Sequence, residues 1–491
     1  ATQPLTMESY RILHLLPYLP SPVHFGGALR IHHILRHFAD HHHVRVVAFA
    51  DHGDPEAFLQ DFPELKGRCE LLTRPAWRRR SRLSQLHSLV TSHSHWYAGT
   101  FTPQMESVLD RVQSQESFDI VLFEFPMLGQ YPLDPRAVRI MDAHNVEYDA
   151  MRRMATVQGD PVRKWFYQAE HRKIRQEELE IASRQDALFV TSQRDAELFA
   201  RDLPHLPRVV IPNGVDSGYY PFRPSFHETG DPQPGDPQPG GPKTGGLQTD
   251  SPLPFDLPAV RANRLVFTGM MGYVPNYDGV LHFLDEAFPR IRAKIPDAEL
   301  LVVGKNPPAH LRRRSGDGVK VTGFVQDVRP HVYSAAVYVV PLRMGGGTRL
   351  KVLEALSAGI PVVTTPIGCE GIDVVDGEHV LIRDDPEAFA EAVLELLADP
   401  ELAARLVRNG RRLVEEVYDW RHIGARMDIA FHELLLRRTE REISRWLPAA
   451  AGTSLHRPAA SGNGRDPRAA PAPQPVVHPS ASPSPTPNQE A

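Results

Sequence analysis

The sequence has only two cysteines, Cys69 and Cys369, and neither has a second thiol near it in the chain. This excludes a disulfide framework and a CxxC zinc site, and it favours a reducing compartment. Long apolar runs are missing as well, because no stretch of about 18 apolar residues occurs. The N-terminal segment has no basic leader ahead of its short apolar stretch. We therefore expect a first strand there, neither a membrane span nor export, and a cytoplasmic location.

A strong charge of either sign is also absent. The formal net charge is -5 and the pI is about 6.6, so nothing attracts nucleic acid globally and we expect no nucleic-acid partner. No GxGxxG motif occurs, which disfavours an NAD site, and we expect no cofactor. The adjacent residues His41, His42 and His43 predict a polar turn rather than a metal site, because neighbouring side chains cannot all point one way. We predict no metal.

Two folded domains are expected from the length of 491 residues and the hydrophobic content of 41%. In the first part, short β-branched runs alternate with helical patterns, which predicts an α/β fold with a parallel sheet. These runs occupy residues 10–16, 44–50, 119–125, 137–143, 186–192 and 208–214. The alternation restarts later in the chain, which predicts a second domain of the same kind. Its runs occupy residues 264–269, 298–304, 319–324, 336–342, 360–365 and 379–382.

Composition shifts mark the boundaries between these parts. A Pro/Gly-rich stretch with a tandem GDPQP predicts a flexible linker, helical patterns close the fold, and a Pro/Ser/Ala-rich end predicts a disordered tail. We assign an N-terminal domain at 1–222, a linker or insertion at 223–260, a C-terminal domain at 261–425, a last helix packing back on the N-terminal domain at 426–447, and the tail at 448–491. Open α/β sheets bind ligands at the carboxyl ends of their strands, so we expect the site in a cleft between two Rossmann-like domains.

The most informative segment, 341–363, contains a strand, three glycines, a helix and another strand. Glycines let backbone N–H groups approach an anion, and a helix start adds positive charge, so Gly345, Gly346, Gly347 and Thr348 can hold a phosphate. A tight strand-to-helix turn that needs positive φ explains the same glycines, and both interpretations stay open.

The following helix favours the phosphate interpretation. Helical spacing places Lys351 and Glu354 on one face, with Arg349 on the opposite one. A lysine near the loop can neutralise a diphosphate, and a carboxylate further along can accept two sugar hydroxyl hydrogen bonds. The alternative is a solvated Lys/Glu pair.

This segment, GGGTRLKVLEA, resembles the donor-binding helix of retaining family 4 glycosyltransferases, especially a branch with the signature GGGTRLK(I/V)LEA. The resemblance implies the GT-B fold, a nucleotide-diphosphate sugar as donor, retention of configuration and no metal. It implies that Glu354 holds the donor ribose and that the GGGT turn with a nearby cation faces the diphosphate. Three further segments agree in order: IPNGVD with Asn213, FTGMMGYVPNYDGV with Asn276 as a helix cap, and VTGFVQDV with Val325 near the nucleobase.

In the N-terminal domain the resemblance implies two further parts of the site. The turn with Gly26 and Gly27 would lie over the donor diphosphate, and His144, just past a strand, would contact the transferred sugar. An ordinary βα turn and a capping or surface histidine are the alternatives. We predict His144, Lys351 and Glu354 as the catalytic residues.

Two departures from the family pattern stand out. Most members carry a second glutamate eight positions before the first, where this chain has Gly346. Many also use an Arg and a Lys after the first strand of the second domain, where this chain has GMMGYVPN, so Arg343, Arg349 or Lys351 is expected to supply the positive charge. Of these, Lys351 is the better candidate because it lies on the same helix face as Glu354. Arg349 is expected to pack or pair at the surface.

Two charged segments bear on the acceptor. Segment 74–90 has five arginines and Trp77, which suits an anionic acceptor, the inner membrane face or a solvated helix. Segment 163–180 has mixed charges that predict an exposed helix. The acceptor itself, a carbohydrate, a lipid-linked sugar or a small molecule, is not specified by any motif.

Two other functions stay open beside glycosyl transfer. A nucleotide-sugar 2-epimerase has the same architecture, although we identify no acid and base residues for it. The glutamate that is missing at position 346 would be explained if the protein binds a nucleotide sugar without turning it over.

Overall fold

The computed structural model describes residues 9–23, 25–74, 88–89, 91–157, 161–223, 255–256 and 258–446. The described residues up to 440 form one compact unit, and the described residues 441–446 fall outside it. The arginines beyond Arg74 in segment 74–90, most of the linker and the tail lie outside the described residues. The predictions made for them, and the predicted domain boundaries, stay predictions.

The first domain is built on a sheet of seven parallel strands in the order β3-β2-β1-β4-β5-β6-β7. The strands are β1 (Arg11–Leu16), β2 (His43–Phe49), β3 (Cys69–Leu72), β4 (Ile120–Glu124), β5 (Val138–Ala143), β6 (Ala187–Val190) and β7 (Arg208–Val210). The helices are α1 (Gly26–His41), α2 (Pro55–Asp61), α3 (His95–Thr100), α4 (Pro103–Gln115), α5 (Glu147–Val157), α6 (Pro161–Ser183) and α7 (Gln193–Asp202).

The second domain has a sheet of six parallel strands in the order β10-β9-β8-β11-β12-β13. The strands are β8 (Arg264–Thr268), β9 (Glu299–Val303), β10 (Val319–Val321), β11 (Val337–Val340), β12 (Val362–Thr364) and β13 (Leu381–Ile382). The helices are α8 (Val274–His282), α9 (Phe288–Lys294), α10 (Ala309–Arg312), α11 (Arg329–Tyr333), α12 (Leu350–Ala358), α13 (Pro386–Ala398), α14 (Pro400–Leu413) and α15 (Trp420–Trp446).

The predicted α/β class and both parallel sheets are confirmed, and every predicted run contains a strand. Buried β-branched residues explain this agreement, since parallel strands covered on both faces are continuously apolar. One strand, β3, was missed. It lies at the edge of its sheet and only Leu72 in it is fully buried, so its sequence, CELL, has little of the apolar pattern.

The chain passes between the two domains twice, and the two passages are bonded to each other. Val215 pairs with Asp419, and its N–H donates to the carbonyl of Tyr418 at 2.8 Å. The Asp419 carboxylate accepts from the Ser217 hydroxyl. Gly214 has no room for a side chain, because a Cβ there would stand 2.7 Å from the Tyr418 carbonyl oxygen. Closely packed crossings of this kind form one hinge rather than two independent linkers.

After the second passage, α15 packs on the first domain. It begins at Trp420, earlier than the predicted start at 426. Phe431 is fully buried there, with its ring 5.5 Å from that of Phe38 and 5.8 Å from that of Phe189.

The same helix shows that the prediction of a polar turn is wrong for His42. Its side chain is buried, and its Nε2 lies 2.9 Å from the Asp428 carboxylate of α15. His37 contacts the same carboxylate at 2.9 Å. The partner comes from the far end of the chain, so the neighbouring sequence of three histidines does not disclose it.

Helix α6 contains the segment 163–180, and the prediction that this helix is exposed is wrong for one face. Glu170, Glu177 and Glu178 are buried. Glu178 accepts from the backbone N–H groups of Glu147 and Tyr148 at 3.1 and 3.0 Å, at the start of α5. Carboxylates that cap the first turns of other helices satisfy N–H groups that lack helical partners. This explains why charged residues are tolerated inside.

We predict that Phe431→Ala lowers the free energy of unfolding by about 3–5 kcal/mol, because a large aromatic ring leaves a cavity when it is truncated. Ile429→Ala on the same helix is the matched control. Ile429 is 58% exposed, so its truncation is expected to change stability by no more than about 0.5 kcal/mol. Urea unfolding followed by circular dichroism compares them. Equal losses for both variants would show that α15 is not anchored through Phe431.

Candidate functional site

A cavity of about 810 Å³ lies between the two domains. In each sheet the strand order reverses beside the first strand, between β1 and β4 and between β8 and β11, and such switch points are where open sheets bind ligands. The cavity reaches both points. Its wall includes Gly26, which follows β1, Thr268 and Gly269 at the end of β8, and Leu342 after β11.

Lys351 and Glu354 both line this cavity. The Lys351 ammonium donates to the Asn276 Oδ1 at 2.9 Å and lies 4.0 Å from the centre of the Phe267 ring. Burial, with Arg349 nearby, lowers the pKa of Lys351 to about 7 although Glu354 opposes the shift. Burial raises the pKa of Glu354 to about 7, opposed by Lys351. A cation and a carboxylate whose charged forms are disfavoured by burial in one cavity are typical of a binding or catalytic site.

Asn276 orients the lysine and does not cap its helix as predicted. Helix α8 begins at Val274, which places Asn276 inside the first turn, where its Nδ2 donates to the Met270 carbonyl at 3.0 Å. Gly269 leaves room for this contact: a Cβ there would stand 2.9 Å from both the Lys351 Nζ and the Asn276 Nδ2.

The glycine loop before α12 needs its glycines for backbone reasons as well. Gly345 and Gly347 have φ of 121° and 77°, which disfavours a side chain. Arg349 is buried beside this loop, so the expectation that it lies at the surface is wrong. It precedes the first helical residue, Leu350, and therefore does not follow the helical facing, and its guanidinium donates to the Gly346 carbonyl at 2.6 Å.

Two buried polar atoms at this loop have no partner among the described residues: the Thr348 Oγ1 and one terminal nitrogen of Arg349. Thr348 and Arg349 both line the cavity. Buried polar atoms are almost always hydrogen-bonded, so unpaired ones at a cavity wall indicate the place of a ligand.

Of the other predicted donor-binding residues, some line the cavity and others do not. Gly26 lines the cavity, whereas Gly27 lies beside Tyr18 and His144. Arg343 is not part of the wall and pairs with Asp278 at 2.8 Å. Val325 is not part of the wall either, although Val328 is. Asn213 accepts from Arg30 at 3.2 Å, next to Gly214, which lines the cavity.

His144 follows β5 as predicted, but it is buried and lies outside the wall of the cavity. Its Nε2 is 2.6 Å from the Glu124 carboxylate. Glu124 is the last residue of β4 and carries no motif, so sequence reasoning missed it; its place at the end of a predicted strand is the signal that was available.

Sequence reasoning also missed ion pairs across the cleft. Both terminal nitrogens of Arg153 in α5 donate to the Glu370 carboxylate, at 2.9 Å each. One of them also donates to the Gly345 carbonyl at 3.3 Å. Arg194 contacts Glu370 at 3.2 Å. These contacts join the first domain to the second at Glu370 and, through Arg153, at the glycine loop.

Comparison with known proteins gives the class of this architecture. Sucrose-phosphate synthase from Thermosynechococcus elongatus matches with a TM-score of 0.58 at 19% identity, over 87% of this chain and 100% of that one. Anabaena HepE in complex with UDP and glucose matches with a TM-score of 0.57 at 13% identity, over 86% and 100% of the two chains. At these identities the likeness shows the fold, which is GT-B.

Sequence matches define the second domain further. The family described as glycosyl transferases group 1 matches residues 262–399. A GDP-mannose-dependent alpha-(1-6)-phosphatidylinositol monomannoside mannosyltransferase of Mycolicibacterium smegmatis is 32% identical over 160 residues, 29% of this chain and 42% of that protein. A GDP-mannose-dependent monoacylated alpha-(1-6)-phosphatidylinositol monomannoside mannosyltransferase of Corynebacterium glutamicum is 31% identical over 157 residues, 29% and 41% of the two chains. The matches thus span less than half of these relatives.

Residues 262–399 thus match the group 1 glycosyltransferase family, and they lie within a GT-B fold. This confirms the resemblance to family 4 glycosyltransferases, while the narrower GGGTRLK(I/V)LEA branch stays a prediction. Among the described residues, no helix combines the length and apolar character that crossing a membrane requires.

We predict that nucleoside diphosphates bind most tightly near pH 7. Above this pH the free Lys351 loses its proton, since its pKa is about 7, and binding a diphosphate must restore it. Below it the free Glu354 is protonated, since its pKa is also about 7, and must lose the proton to accept two hydroxyl bonds. Calorimetric titration with UDP and GDP on both sides of neutrality measures this.

Two variants show which residue causes the loss of affinity on each side of pH 7. Lys351→Met removes the alkaline fall and Glu354→Gln the acidic one, and each weakens binding by about 10–100-fold, which corresponds to ~1.5–3 kcal/mol for hydrogen bonds to a charged group. Arg314→Met is the control, because Arg314 pairs with Asp285 at the surface of the same domain. Unchanged affinity in Lys351→Met would remove the lysine from the site.

Proposed function

We propose that this protein is a glycosyltransferase that moves a sugar from a nucleotide-diphosphate sugar to an acceptor hydroxyl, with retention of anomeric configuration. One observation carries the proposal. Lys351, Glu354, and the unpaired atoms of Thr348 and Arg349 converge on one cavity at the carboxyl ends of two facing parallel sheets. The group 1 domain over residues 262–399 and the mannosyltransferase relatives support it.

The donor's parts are assigned by chemistry. Glu354 accepts hydrogen bonds from the two ribose hydroxyls, which a single carboxylate can satisfy together. Lys351 and Arg349 neutralise the diphosphate, and the Thr348 hydroxyl with the glycine loop supplies further donors. Because both cations are held by protein before a ligand arrives, the charge that develops on the leaving diphosphate is stabilised without reorganisation.

The reaction that fits this site is a substitution at the anomeric carbon. The bond between that carbon and the diphosphate oxygen breaks, and the acceptor oxygen bonds to the same face. The acceptor proton passes to the departing phosphate oxygen. His144 is assigned to the transferred sugar, and the proposed mechanism uses no metal.

We extend the proposal to a lipid-linked acceptor, reached by peripheral contact at the cytoplasmic face of a membrane. Helices α5 and α6 pack as a pair, and the neighbouring ends of the pair expose Met154, Val162 and Trp165, the last two at 72% and 59%. Exposed tryptophan beside Arg163 and Lys164 suits a membrane interface. The Mycolicibacterium and Corynebacterium relatives are named for phosphatidylinositol mannosides.

We expect transfer from a nucleotide sugar to be abolished in Glu354→Ala and Lys351→Ala and to persist in excess EDTA. NMR of the product is expected to show the anomeric configuration of the donor. Screening UDP- and GDP-sugars with lipid and carbohydrate acceptors provides the assay, and Arg314→Met is again the control. An altered sugar nucleotide formed without any acceptor would instead identify an epimerase, and donor binding without turnover would identify a binding protein.

The membrane contact has its own test. Trp165→Ala is expected to weaken binding to vesicles containing anionic phosphatidylinositol by about ten-fold, because burying an aromatic side chain contributes ~1.5–3 kcal/mol. Leu436→Ala, which alters an equally apolar side chain that is 51% exposed on α15, is the control. Co-sedimentation measures both. Identical binding by Trp165→Ala and the parent chain would argue against this surface.

A further inference from the structure

A buried carboxylate at the cleft end of the first sheet is shared by two histidines. Glu124 ends β4, His14 lies in β1, and His144 follows β5, so the three side chains come from adjacent strands. The two carboxylate oxygens lie 2.6 Å from the His14 Nε2 and 2.6 Å from the His144 Nε2. The exposed fractions are 0%, 0% and 5% for Glu124, His14 and His144.

The neighbouring acidic residue is paired separately. Asp142 receives two hydrogen bonds from Arg30, at 2.9 and 2.8 Å, and lies 3.8 Å from the His144 Nε2. Burial alone would raise the pKa of Glu124, but the hydrogen bonds from His14 and His144 hold that pKa well below its usual range. Glu124 is therefore an ionised acceptor, and each imidazole must donate to it through an Nε2–H.

This arrangement decides which nitrogen of each ring carries the proton. The His14 Nδ1 is buried with no partner among the described residues, so a proton there would be a costly unpaired donor. The His144 ring likewise carries its proton on Nε2, which leaves the lone pair of Nδ1 beside Gly27. A Cβ on Gly27 would stand 3.5 Å from that Nδ1 and 2.6 Å from the Tyr18 hydroxyl oxygen.

The Tyr18 hydroxyl is also buried and has no partner among the described residues. The unpaired Tyr18 hydroxyl, which can donate or accept, and the His144 Nδ1, an acceptor, thus both lie beside Gly27, where a side chain would crowd them. A sugar hydroxyl between them could donate to the imidazole and accept from the phenol.

We propose that Glu124 is a positioning residue for glycosyl transfer: it fixes the His144 ring as the Nε2–H tautomer, so that Nδ1 accepts a hydrogen bond from a hydroxyl of the transferred sugar, with Tyr18 on its other side. The inference rests on the proposed function. It adds to that function the orientation of His144 and the recognition of a sugar hydroxyl by an acceptor–donor pair.

Glu124→Gln tests the tautomer directly. A carboxamide accepts from one imidazole and donates to the other. Since His14 cannot carry an unpaired Nδ1–H, the amide oxygen is expected to stay with His14 and the amide nitrogen to face His144, which moves the His144 proton to Nδ1. Two-bond proton–nitrogen correlation on histidine-labelled protein reads the tautomer, with His144→Gln assigning the signal. We expect a conversion from Nε2–H to Nδ1–H.

The kinetic result should separate positioning from folding. In Glu124→Gln, kcat is expected to fall at least about ten-fold, the equivalent of ~1.4 kcal/mol, while the affinity for the nucleoside diphosphate stays unchanged because Lys351 and Glu354 are untouched. Glu170→Gln is the matched control: Glu170 is a buried carboxylate of the same domain that contacts the His95 Nδ1 at 2.5 Å, away from the cleft. It is expected to cost stability with kcat and the His144 signal unaltered.

A second variant leaves the buried network intact. Gly27→Ala is compatible with the helical position of this residue in α1, but its methyl group would crowd the Tyr18 hydroxyl and lie beside the His144 Nδ1. We expect kcat to fall as in Glu124→Gln, with the His144 tautomer unchanged. A folded Glu124→Gln that keeps the Nε2–H tautomer or the parent kcat, or a Gly27→Ala with the parent kcat, would overturn the inference. A parent chain that neither binds nucleotide nor transfers sugar would instead overturn the proposed function, and the tautomer measurement stands without activity.

Discussion

The cost of removing charge from water governs this structure. Lys351 and Glu354 line the cavity between the domains, and desolvation brings both pKa values to about 7. In the proposed complex a diphosphate and a ribose would favour the charged forms that burial disfavours. Binding energy is then available at the places where charge develops during transfer. The unpaired atoms of Thr348 and Arg349 act in the same way, because they gain hydrogen-bond partners when a polar ligand occupies the cavity.

In the first domain, three buried acids have protein partners: Asp142 has Arg30, Glu124 has two histidines, and Glu178 has the first N–H groups of α5. Burial still raises the pKa of Asp142 and of Glu178, whereas the two histidines hold the pKa of Glu124 below its usual range. Satisfied networks of this kind hold side chains rigidly. We infer that the two sides of the cleft have different tasks, with the second domain gaining energy from the ligand and the first presenting preset groups to it.

Between the two sides lie the hinge and the ion pairs across the cleft. The bonded passages at Val215 and Asp419 restrict how the domains can move, while Arg153 and Arg194 of the first domain pair with Glu370 of the second. Partly exposed ion pairs are weak individually. They can therefore open for a donor to enter and re-form around it, which fits a site whose ligand spans both domains.

Much of this was determined by the sequence alone. Apolar runs predicted every strand except the edge strand β3, and the helical spacing after the glycines placed Lys351 and Glu354 on one cavity wall, because these depend on local periodicity. Only the tertiary structure decided the rest. It buried Arg349, paired Arg343 with Asp278, joined His42 to Asp428 and set Glu124 between His14 and His144. Each of these depends on a partner distant in sequence or on a residue just outside a regular element, where periodicity no longer fixes the direction of a side chain.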